Sequence, residues 1–221
     1  MKPVLQQDLL ATVASSKSRA AGSAVVRRLH SQALELVAAE DLGRASFMFR
    51  IRSLQGVEGP VLVVESERLE APWLLPSTGT LTALACGVCT LGVALEERVR
   101  TLFAQGKRSL ALALDSLGNE LLFEVSARMR HRMMRQTHRQ GLTLSGELRS
   151  GDPGLALETQ PLVLRLAEAE RIGVTASRGA VLHPLKSMSC VFGVGIDLPE
   201  ARWSRCDTCR SRERCSIAPA T

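Results

Sequence analysis

Apolar residues recur at helical spacing from Ala24 to about Glu40, with Val25, Leu29, Ala33, Leu36 and Val37 on one face. Ser23 stands where an N-cap belongs, and Gly43 ends the segment as a C′ glycine would. The pattern then changes period. Residues 46–51 and 61–64 read as strands, with turn material at 55–60. Two prolines make 70–78 an extended loop. The run from Thr80 to Gly92 is continuously apolar or small, which predicts a strand buried on both faces.

Helical patterning returns over Val93–Gln105, closed by Gly106, and again from Ser109 to about Gln140. Small residues at Asp115-Ser-Leu-Gly118 predict close approach of a neighbour. Residues 143–158 read as a strand end and a glycine-rich loop, and Thr159–Glu168 as a short helix. A strand pair joined at Ser177-Arg178 follows, then an apolar strand over 188–196. Strands interleave with helices without a regular βαβ repeat. The expected fold is α+β: a single domain with a central antiparallel or mixed sheet surrounded by helices. Residues 1–22 read as a flexible arm, 23–196 as the domain and 197–221 as a cysteine-rich tail.

Composition narrows the function. At 221 residues and 45% hydrophobic content, the chain can bury a core without disulfides. No apolar run approaches the ~20 residues of a membrane helix. The N-terminus lacks a secretory pattern, so the expected location is the cytoplasm. Six cysteines in that compartment point to metal before disulfides. The net charge is +6, carried mostly by arginine, and only 3% of residues are aromatic. Stacking platforms for single-stranded nucleic acid need more aromatics than that.

The tail carries the strongest local signal, Cys206-Asp-Thr-Cys209-Arg-Ser-Arg-Glu-Arg-Cys215. A C-x2-C turn lets two thiolates reach one metal, and Cys215 can add a third. Such a set suits zinc or an iron–sulfur cluster. The surrounding arginines favour the thiolate form. Cys190 is the nearest fourth ligand within the chain. Cys86 and Cys89 also form a C-x2-C, but residues three apart on a strand face opposite ways, so both read as buried small side chains.

The helix over 119–139 carries a basic stripe. Arg128, His131, Arg132, Arg135, His138 and Arg139 fall within about 120° of arc. It reads as a solvated outer face or as a docking surface for an acidic partner or phosphates. No phosphate loop, dinucleotide fingerprint, zinc-protease helix or serine elbow is present.

Several segments resemble one family, the activation (reactivation) domain of vitamin B12-dependent methionine synthase. Residues 111–130, ALALDSLGNELLFEVSARMR, resemble its long helix. Residues 172–190, IGVTASRGAVLHPLKSMSC, are similar to its strand leading to "S-V-S-G". Residues 90–100, TLGVALEERVR, are similar to a stretch of short stand-alone relatives. The resemblance runs from about residue 45 to 196.

It implies the fold above and a place over cobalamin during reductive remethylation. It also implies S-adenosylmethionine contacts at R-x-x-x-G-Y. In this chain Glu147 takes the place of that arginine and Asp152 of the tyrosine, and only Gly151 matches. A glutamate facing a ligand carboxylate reverses the interaction from attraction to repulsion. Arg149 is the substitute nearest in sequence, so Gly151 and Arg149 are the candidate cofactor-binding residues.

The cysteine tail has no counterpart in that domain. Together the features imply an accessory protein for corrinoid-dependent methyl transfer. It would dock on a cobalamin-carrying protein or a methyltransferase, take electrons from a donor and reduce the corrinoid through an iron–sulfur site. The alternative is a non-enzymatic zinc module whose arginine-rich face binds nucleic acid or an acidic protein.

Overall fold

The computed structural model describes residues 6–15, 23–199 and 209–210. A six-stranded sheet forms the centre. Its strands are β1 (Ser46–Glu58), β2 (Val61–Val64), β3 (Glu67–Glu70), β4 (Thr80–Thr90), β5 (Thr143–Leu148) and β8 (Ser187–Ile196). They lie in the order β3-β2-β1-β4-β8-β5, and every pairing is antiparallel. A two-stranded ribbon, β6 (Thr175–Ala176) and β7 (Leu182–His183), stands apart.

Alternation along the central strands builds two cores. Ala83, Ala85 and Cys89 of β4 join Cys190, Phe192 and Val194 of β8 on one face. Leu84, Cys86 and Val88 join Val191 on the other. The first face is covered by α1 (Gln6–Ser15), α2 (Ala24–Ala39), α3 (Ala94–Ala104) and α4 (Arg108–His138). The second is covered mainly by α5 (Gln160–Ala167) and the turn after it. Burial on both faces is why β4 reads as an unbroken apolar run.

Close approaches occur where the side chain is smallest. A Cβ on Gly118 would stand 2.9 Å from Leu95 Cδ2, so the small-residue notch lets α3 press onto α4. A Cβ on Gly87 would stand 2.3 Å from Met133 Cε, so α4 settles onto β4 there. Ser23 caps α2 by accepting from Val26 N at 3.3 Å.

Three elements depart from the sequence reading. The flexible arm expected over residues 1–22 is corrected across Gln6–Ser15, which form α1 with Leu9 and Val13 buried. Residues 55–58, read as turn, continue β1 because Gly56 and Val57 pair with Val63 and Leu62 of β2. The sequence reading assigns no element to β3; its single buried residue, Leu69, sits between charged neighbours and gives little periodic signal.

Candidate functional site

The candidate cofactor residues lie where β5 turns toward α5. Pairing between β5 and β8 shifts register between Ser145 and Leu148, and Gly146 takes φ +68 there. Past the strand, the turn is closed by Asp152. Its Oδ2 accepts from Arg149 N at 2.8 Å, and its own N–H donates to the Arg149 carbonyl at 2.8 Å. Gly151, at φ +97, donates to the Leu155 carbonyl at 2.8 Å. Ser150 and Thr159 join the turn to the start of α5 through a 3.1 Å hydroxyl pair.

Glu147 and Arg149 share one face and bind each other. Arg149 donates from Nε at 3.2 Å and from Nη2 at 2.9 Å, both to Glu147 Oε1. Its guanidinium lies 5.9 Å from the centre of the Phe123 ring of α4. Trp73 packs on the same loop, where a Cβ on Gly154 would stand 2.6 Å from Trp73 Cγ. The Nε–Nη2 edge of Arg149 is therefore taken, and a ligand carboxylate brought to it would lie beside that of Glu147. Like charges so placed repel. The pair does not fit the carboxylate of S-adenosylmethionine, and the tyrosine position is occupied by a turn-forming aspartate.

The cysteines occupy separate places. Cys206 and Cys215 lie outside the described residues. Cys209 is exposed with a free thiol. Cys190 lies in β8 opposite Gly87, in the core layer beneath α4, and is 1% exposed. Burial raises its thiol well above the ordinary value. Cys86 and Cys89 are buried on opposite faces of β4, as their spacing requires, and burial pushes each thiol up to about 12. Among the described residues no three His, Cys, Asp or Glu side chains stand together as a metal set.

The basic stripe divides. Arg128 pairs with Glu124 at 2.9 Å and reaches α1, donating to the Asp8 carbonyl and Thr12 Oγ1, each at 3.2 Å. His131, Arg132, Arg135, His138 and Arg139 are exposed.

One charged centre was not anticipated. Glu168 follows α5 at φ +56 and takes Arg50 at 2.7 Å, Arg171 at 2.9 Å and Arg52 at 3.0 Å. Hydrogen bonds from Arg50 first, then Arg171, hold its carboxyl down at about 2. Arg50 and Arg52 sit two apart on β1, on one face of the sheet. That repeat was the available sequence signal. The glutamate lies 116 residues beyond Arg52, and no local pattern links them. A cleft of about 420 Å³ adjoins this centre, lined by Leu164, Arg165, Glu168, Glu170 and Val174 among others.

No family model matches the sequence, and no curated protein matches it. A solved structure does. The MetH reactivation domain bound to AdoHcy superposes with a TM-score of 0.61 over 78% of this chain, at 14% identity. The fold resembles that of the MetH reactivation domain. The chain spans 66% of that solved chain's length. The α+β architecture expected from the sequence, with an antiparallel sheet beneath helices, is the one observed. Among the described residues no helix is long and apolar enough to cross a membrane.

Proposed function

We propose that this chain is an accessory to cobalamin-dependent methyl transfer, acting on a partner protein that carries the cobalamin. The observation that carries this reading is the superposition on the MetH reactivation domain, together with the three sequence segments that resemble the same family in order. The Glu147–Arg149 pair argues that the contribution is not adenosylmethionine binding of the usual kind.

The finer reading concerns the tail. Cys206, Cys209 and Cys215 would hold a metal, with Cys190 or a partner group as fourth ligand. Burial of Cys190 disfavours its thiolate, which makes an outside ligand the better fit. An iron–sulfur cluster at that position would supply one-electron chemistry, and zinc would supply a clasp. Reductive activation adds one electron to cob(II)alamin and yields cob(I)alamin, and a donor protein must return that electron to the chain.

The test is iron, acid-labile sulfide and zinc per chain after anaerobic purification, with Cys206→Ser alongside. Iron and sulfide lost in the variant, with faster recovery of cob(I)alamin when a donor is present, support the redox reading. Zinc alone ends that reading and leaves docking. Failure to bind any cobalamin-loaded partner ends the accessory reading itself.

A further inference from the structure

Several arginines elsewhere in the fold have carboxylate partners among the described residues: Arg50 and Arg52 with Glu168, Arg98 with Glu40, Arg149 with Glu147. Arg132, Arg135 and Arg139 do not. They are exposed over the last turns of α4, and no ion pair among the described residues engages them. With Arg128 they stand at i, i+4, i+7 and i+11, a seam about 16 Å long at 1.5 Å per residue. Arg128 at its near end is occupied by Glu124 and α1. From Val125 to Gly146 the chain contains no Asp or Glu. Met134, 39% exposed, adds an apolar point on the His131 side.

We propose that this seam of α4 docks on an acidic helical face of a partner protein. Guanidinium groups take carboxylates through two parallel hydrogen bonds. Glutamates three and four apart on a helix repeat at about 5–6 Å, the same interval as the arginines. Single exposed pairs add little, so register and steering carry the recognition. A nucleic-acid duplex fits less well. Its interfaces are broad, whereas this seam is short, and the same helix carries Glu124 one turn before it and Glu120 a turn further. The proposal concerns α4 alone and stands whether or not the partner carries cobalamin.

The test uses a roughly 20-residue alanine-rich peptide with glutamates at i, i+4, i+7 and i+11, and a scrambled peptide of equal charge. Anisotropy at low salt should show about fivefold tighter binding of the ordered peptide to the full chain. R132E/R135E/R139E should abolish that difference. R100E/R108E/R178E, the same charge change elsewhere on the surface, should keep it. If the reversed seam fails to fold by circular dichroism, R132Q/R135Q/R139Q replaces it. Equal affinity of the two peptides, or equal loss in both variants, overturns the proposal. A DNA duplex that loses more affinity than the peptide in the seam variant overturns it in favour of a nucleic-acid surface.

Discussion

Glu168 binds three arginines from two segments and fixes the turn after α5 to β1. Its carboxyl titrates at about 2 in the fold against an ordinary 4.5. A depressed carboxyl stabilises the fold fully above its unfolded value, and that contribution disappears as pH falls from about 4.5 to about 2. Glu168→Gln should lower the melting temperature at pH 7 and flatten the acid limb of stability between those values. Thermal melts at pH 7 and at pH 3 measure both; an unchanged acid limb counts against the role.

At the Gly151 turn, Glu147→Arg should remove the repulsion and free Arg149, so that S-adenosylhomocysteine binds about tenfold or more tighter than to the unaltered chain. Calorimetry at millimolar ligand reads this, and equal weak heats in both proteins would mean that Glu147 is not the obstacle. Gly154 combines φ +81 with the Trp73 contact, so Gly154→Ala should cost about 1–3 kcal/mol. Thermal melts should show a drop of several degrees.

Among elements, those with one clear period were legible. α2, α4, β4 and β8 lie where apolar spacing put them, because each presents a repeating set of buried residues to the core, in α2 over its second half. α1, β3 and the far half of β1 were not legible. Each is a short or polar segment whose structure comes from a neighbour: α4 for α1, β2 for the other two. The Glu168 centre was hidden for the same reason, since its partners are distant in sequence. The Asp152 turn shows a further limit: the sequence marked a mismatch with the family motif, while the closing hydrogen bonds came only from geometry. Dependence on a neighbour makes α1 a sensitive element. Arg128→Ala removes the hydrogen bonds to the Asp8 carbonyl and Thr12 Oγ1 that tie it to α4 and should raise amide exchange in residues 6–15 roughly fivefold. Mass spectrometry should find α5 unchanged; equal exchange in both proteins would mean that Leu9 and Val13 alone hold the helix.

In the whole molecule, fold and candidate chemistry are separable. Both cores are built from residues between Leu9 and Val194. Beyond them the chain turns at Asp197, φ +50, and is pinned to β5. Leu198 N donates to Thr143 Oγ1 at 3.0 Å, and Ser145 Oγ donates to the Pro199 carbonyl. These bonds lie at the sheet edge and contribute about 1 kcal/mol each at most. A chain ending at Pro199 should therefore keep its melting temperature within a few degrees, because every core residue among those described is retained. It should also keep the α4 seam and its affinity for the ordered acidic peptide. What it should lose is metal, and with it any acceleration of cobalamin reduction. Thermal melts, peptide anisotropy and metal content on the shortened chain test the three together. A large fall in stability would mean that the tail is part of the fold. Retained metal would mean that Cys206, Cys209 and Cys215 are not its ligands.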